Sequence, residues 1–125
     1  MIIGLALVHS PIRFKIIKGL LERLSIKEIS EKYKINYGYL VKVLNKMSRK
    51  GLLIRARLFK NTIYIPKPEV SKAFHIALKE LYVKVSKMDP SQRDSFLKNY
   101  SLTYKDLVKT LGLEGLEEKE ERVLE

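Results

Sequence analysis

Cysteine and tryptophan are both missing from the 125 residues, and histidine occurs only twice. Without cysteine there are no disulfides, no thiolate metal sites and no cysteine nucleophile, and a reducing interior suits such a chain. Long hydrophobic runs are missing too. The opening MIIGLALVHSP has no basic region ahead of its apolar run, which is too short to cross a bilayer. A cytoplasmic protein with no membrane partner is the expectation. One further scarcity is local: residues 11–60 hold only 3 acidic side chains against 14 basic ones.

That local excess equals the net charge of the whole chain, +11, because residues 61–125 hold 11 of each sign. Within the neutral part, residues 111–125 carry six Glu against Lys119 and Arg122. A chain made basic only for solubility would not localise the imbalance so sharply, so a polyanionic partner for the first half follows. The plainer alternative is a solvated, lysine-rich surface of the kind heat-adapted proteins carry.

What the chain does contain is regular punctuation. Ser10-Pro11 combines a hydroxyl N-cap with proline at the first helical position, where its missing N–H costs nothing. Ile12, Ile16, Ile17, Leu20, Leu21 and Leu24 recur at helical spacing and predict an amphipathic helix over 11–23, with Gly19 suited to a close helix crossing. The preceding IIGLALV either extends that helix or forms an arm against a partner subunit. Ser25 and Glu28 make a capping box for a second helix, whose buried side is Ile26, Ile29 and Tyr33. Lys34-Ile35-Asn36 is the turn, Ile35 plugging the core and Asn36 capping a third helix. That helix buries Leu40, Val43, Leu44 and Met47 and stops at Gly51.

From Leu52 the period changes to two, with Ile54, Ala56 and Leu58 on one face and Arg55 and Arg57 on the other. Phe59-Lys60-Asn61-Thr62 turns, Ile63 and Ile65 return, and Pro66 and Pro68 end the hairpin. Residues 69–88 read as the longest amphipathic helix. Along it, Phe74, Leu78, Leu81, Val85 and Met88 form a narrow seam that predicts a homodimer contact. Its alternative use is to close the chain's own core. Asp89-Pro90 caps and starts a short helix to about Asn99, and Thr103 and Gly112 bracket a last one over 104–111. LTYKDLVKTLGL echoes the opening of a second helix-turn-helix, but acidic residues follow it, so it reads as a packing helix.

These segments carry a family resemblance. HSPIRFKIIKGLL resembles the first helix of ArsR-type regulators, with its Pro-x-Arg-x-x-Ile-Leu pattern. SIKEISEKYKINYGYLVKVLNKMSRKGLLIR resembles the helix-turn-helix and wing entry shared by ArsR and MarR regulators, the likeness covering residues 7–66. Both the local reading and the resemblance imply a mostly α fold with a small β-hairpin wing (α+β). Residues 1–68 would be a winged helix-turn-helix, and 69–125 a helical dimerisation extension with an acidic tail. The chain also departs from both families. The metal-ligand cysteines of ArsR sensors are absent, the corresponding helix reading IKEISEK, and the acidic, arginine-rich wing of MarR proteins is missing. Family inducers therefore do not transfer.

The chemistry follows from the third helix. Its outward side chains are Tyr37, Tyr39, Val41, Lys42, Asn45, Lys46 and Arg49. Recognition helices meet base edges mainly through their N-terminal turns, which nominates Tyr37, Gly38, Tyr39, Val41 and Lys42. Lys42 suits guanine O6 and N7, and Asn45 suits adenine. Lys46 and Arg49 suit phosphates, which add affinity without sequence information. Arg55, Arg57 and Lys60 on the wing suit backbone or minor groove, with Glu22 and Glu31 as alternative partners for Arg55. Arg13 and Lys15 suit flanking phosphates or plain solvation. His9 and His75 have no partner spaced for a metal or a catalytic pair, and no phosphate loop or paired-carboxylate motif occurs. No cofactor, no metal and no enzyme activity are expected.

A homodimeric DNA-binding regulator of transcription, acting as a repressor, is the leading expectation. A winged helix used for protein docking and a nonspecific chromatin or RNA binder are the alternatives. The acidic tail either competes with DNA for the basic face or is ordinary solvated charge.

Overall fold

Five helix starts coincide with short polar side chains, at Ser10, Ser25, Asn36, Asp89 and Thr103, because an unpaired N–H at a helix N-terminus needs an acceptor. The computed structural model describes residues 3–113. In order these form α1 (Ile3–Val8), α2 (Pro11–Leu21), α3 (Ile26–Tyr33), α4 (Tyr37–Arg49), β1 (Leu53–Leu58), β2 (Asn61–Pro66), α5 (Pro68–Ser86), α6 (Pro90–Leu97), a 3₁₀ turn (Lys98–Tyr100) and α7 (Tyr104–Thr110). The described chain is thus mostly helical with one two-stranded antiparallel sheet. The reading of the acidic tail rests on residues 114–125, which lie outside the described residues.

Two compact units divide at Ala77 and Leu78, inside α5, rather than at the expected boundary of 68 and 69. The first turns of α5 belong with the first unit for a packing reason: Val70 and Ala73 are buried, and Phe74 stacks on Phe14 with ring centroids 4.7 Å apart.

In the first unit, Ser10 caps α2, Asn36 caps α4 through a 3.0 Å bond from the Tyr39 N–H, and Ser25 with Glu28 forms the reciprocal capping box on α3. Lys34 takes the left-handed conformation that ends α3, and Gly51 (φ 79°) does so after α4. A Cβ on Gly19 would lie 2.7 Å from Ile29 Cγ1, so the crossing of α2 and α3 requires glycine there. Phe14, Ile16, Ile17, Ile29, Leu40, Leu44 and Val70 are fully buried. Two expectations on α2 are corrected. Ile12 is exposed and Phe14 is not, because Phe74 draws the buried arc round towards Phe14. The segment before Ser10 does not extend α2: residues 3–8 are a separate short helix, α1, which packs on α2 with Leu7 and Val8 buried.

The hairpin pairs Leu53 with Pro66, Arg55 with Tyr64 and Arg57 with Thr62. Its buried positions are Leu53 and Tyr64. Strand alternation therefore puts Arg55 and Arg57 on the face that turns to the core, while Ile54, Ala56, Leu58, Ile63 and Ile65 share the outer face. Ile54 and Leu58 are 49% and 53% exposed. Alternation alone leaves open which of the two faces is buried. Tyr64 decides it, because its ring fills the core and its hydroxyl donates to Asn45 Oδ1 at 2.5 Å.

In the second unit, Leu81, Val85, Leu97 and Leu107 are fully buried, with Tyr100, Leu102 and Val108 close to it. Arg93 ties off the end of α5: Nε donates to the Val85 carbonyl (3.0 Å), Nη2 to Ser86 (3.2 Å), and the guanidinium lies 4.5 Å from the Tyr104 ring centre. Thr103 caps α7, and Gly112 (φ 70°) follows it. Asp89 precedes α6 as expected but makes no side-chain cap bond; Asp94 instead accepts from the Tyr104 N–H at 2.7 Å.

The dimerisation seam also needs correction. Leu78, Leu81 and Val85 are buried within the single chain, Phe74 is taken up by Phe14, and Met88 lies beyond the end of α5. Leu78, Leu81 and Val85 are therefore not free to build a two-fold contact. Leu81 and Val85 instead fill the second unit's core together with Leu97 and Leu107.

Candidate nucleic-acid interface

With Leu40, Leu44 and Met47 buried, α4 presents Tyr37 (53% exposed), Tyr39 (50%), Lys42, Lys46 and Arg49. Gly38 is exposed beside Asn36; Val41 is half-buried. The helix contains no acidic residue. Tyr39 and Lys42 both remain exposed. Arg55, Arg57 and Lys60 are exposed on the hairpin, Arg13 is exposed on α2, and Lys15 is half-buried.

Electrostatically, two of the three acids of residues 11–60 are occupied elsewhere. Glu22 holds Lys32 at 2.9 Å and Lys18 at 3.5 Å. Burial pushes its carboxyl up, but the Lys32 hydrogen bond and the charges of Lys18 and Lys32 outweigh this and lower it. Lys32 is raised, chiefly by the same hydrogen bond. Tyr33, buried beneath Lys18 and Lys32, has its hydroxyl raised by burial first and by Glu22 second. Glu28 is lowered by the Ser25 backbone N–H and then by its hydroxyl. Only Glu31 is left free of these bonds, and Arg55 engages neither it nor Glu22. Among the described residues Lys42, Lys46, Arg49, Arg55 and Arg57 form no ion pair, so their positive field is uncompensated.

Asn45 differs from its neighbours. It is half-buried, and the oxygen it would use on an adenine already accepts from Tyr64. It joins helix to hairpin, holding Arg55 and Arg57 beside α4. Sequence reasoning missed this bond, since Tyr64 and Asn45 stand 19 residues apart. It also missed Phe59, the turn residue of the hairpin, which is 92% exposed at φ 58°. A bulky side chain in that region is strained, and the sequence placed Asn61 two positions after the residue that takes the left-handed conformation. Lys50 was missed as well. With Arg13, Lys42 and Lys46 it surrounds a cavity whose floor includes Ile17, Val43 and Met47.

Comparison of the chain with protein-family models, curated proteins and solved structures found no match. Among the described residues no helix is long and apolar enough to cross a membrane, and no cluster of three or more His, Asp or Glu is placed to hold a metal.

Proposed function

We propose that the first unit is a winged helix-turn-helix and that the protein binds double-stranded DNA sequence-specifically as a regulator of transcription. In this reading α4 enters the major groove and the β1–β2 hairpin lies on the backbone or minor groove. One observation carries it: an exposed helix with Tyr37, Tyr39, Lys42, Lys46 and Arg49 adjoins a strand bearing Arg55 and Arg57, with no carboxylate paired to any of them. Base contacts fall to Tyr37, Gly38, Tyr39, Val41 and Lys42 in the first turns. Lys46, Arg49, Arg13, Lys15, Arg57 and Lys60 serve phosphates. Asn45 is a positioning residue here, holding the hairpin against α4 through Tyr64.

One such helix reads one half-site, so a homodimer that spaces two α4 helices about one DNA turn apart completes the reading. Its two-fold contact falls outside the α5 seam, whose Leu78, Leu81 and Val85 are buried. Repression follows by occluding a promoter.

Selecting bound duplexes from a random pool tests this. The selected site should outcompete unrelated duplex by ~10³-fold or more; equal competition would make the protein a nonspecific binder. Log affinity should fall with log salt at about −0.9 per neutralised phosphate. Arg57→Ala should flatten that slope by about one for each phosphate the arginine neutralises. A salt-independent affinity overturns the proposal. The outer face of the hairpin, with Ile54, Leu58 and Phe59 exposed, favours a second reading as a protein-docking module. That reading requires no duplex binding even in dilute buffer.

A further inference from the structure

The cavity beside α4 is more than a gap in packing. Its volume is about 270 Å³, and every wall comes from the first unit: α1, α2, α4 with the turn after it, and the start of α5. The floor is apolar, formed by Ile17, Val43, Met47 and Val70. The rim carries Arg13, Lys42, Lys46 and Lys50, and no carboxylate lines any part of it. Four cations converging without a counter-charge repel one another, and an anion seated among them relieves that repulsion. The apolar floor gains from a ligand whose body removes it from water.

We infer that this cavity is a binding site for a small amphipathic anion, a carboxylate or phosphate monoester head on a hydrocarbon body. Liquid water takes about 30 Å³ per molecule, so the space suits a body and head of about ten non-hydrogen atoms. The head group sits at the rim among Lys42, Lys46, Lys50 and Arg13, and the hydrocarbon lies over Val43 and Met47. Tyr39, Lys42 and Lys46 belong both to this site and to the face assigned above to DNA. Bound anion therefore neutralises lysines that duplex needs, and the two ligands exclude each other. This last step rests on the DNA reading; the site itself does not.

The test is a titration of the full chain followed by methyl NMR at Ile17, Val43, Met47 and Val70, with octanoate, octyl phosphate, octanol and inorganic phosphate as probes. Octanoate or octyl phosphate should shift these methyls saturably, and the tighter of the two identifies the head group. Octanol and inorganic phosphate should each bind at least about tenfold more weakly, since each lacks one half of the recognition. Lys42→Gln with Lys46→Gln should weaken the anion by about tenfold or more while leaving octanol unchanged. Octanol binding as tightly as octanoate overturns the inference, as does inorganic phosphate equalling octyl phosphate, or the absence of any saturable shift. A labelled duplex then tests the linkage, its apparent Kd rising with octanoate. If duplex binds and octanoate leaves that Kd unmoved, the exclusion is wrong and the site stands. If no duplex binds at all, the DNA reading fails and the methyl titration alone judges the site.

Discussion

The two units of this protein use the same local devices and dress them differently. In each, a short helix begins at a hydroxyl cap with an acid three residues on, Ser25 with Glu28 in the first and Thr103 with Asp106 in the second. Each also has a left-handed non-glycine turn just ahead of a helix, at Lys34 and at Ser101. The charge differs. Residues 1–77 hold 16 basic and 4 acidic side chains, whereas 78–125 hold 9 and 10. Backbone punctuation therefore says where helices begin; the side chains left outside say what a helix is for.

Four tests bear on that contrast. The largest expected effect is Leu81→Ala, a fully buried seam residue, which should cost about 2–5 kcal/mol in denaturant unfolding. The loss should not vary with protein concentration, as it would if the seam joined two chains. Next, Lys42→Glu with Lys46→Glu should lower duplex affinity by more than about 100-fold in a binding assay, two phosphate or base contacts being replaced by repulsion. The same reversals at the exposed Lys105 and Lys109 of α7 should change it by less than about twofold. Equal effects in both units would erase the distinction between them.

Gly19→Ala should destabilise by about 1–3 kcal/mol, because Ile29 would have to yield. Gly112→Ala, with nothing within 4 Å of the new Cβ, should cost only the left-handed strain of about 1 kcal/mol. Thermal or denaturant melts separate the two. The smallest effect is electrostatic. Glu28 has a lowered folded-state pKa, so its stabilisation is present above the ordinary glutamate range and fades as pH falls through the lower folded value. Glu28→Gln keeps an acceptor for the Ser25 N–H and should flatten the acid limb of the stability–pH curve. An unchanged limb assigns acid sensitivity to Glu22, which is lowered in the same direction.

Much of the first unit was legible without coordinates. Ser10, Ser25, Asn36 and Gly51 mark element ends by chemistry that acts over three or four residues. Most of the exposed set on α4 was also readable, since helical periodicity separates Leu40 and Leu44 from Lys42 and Lys46, though Val41, Val43 and Asn45 are half-buried. Which hairpin face is buried was not legible, because alternation reports two faces and not which of them turns inward; Tyr64 broke the tie from a distance. The seam on α5 was misread for a related reason, since a stripe of Leu78, Leu81 and Val85 suits a second chain and the chain's own core equally well.

The amino-acid order alone determined the helix starts and stops, the hairpin, and the concentration of positive charge in residues 11–60, because each depends on near neighbours or on counting. Only the tertiary structure decided that Asn45 holds Tyr64, that Leu81 and Val85 lie within a core, and that Arg13, Lys42, Lys46 and Lys50 surround one cavity. Those outcomes join residues far apart in the chain, and long-range packing, unlike capping, leaves no signature in local spacing.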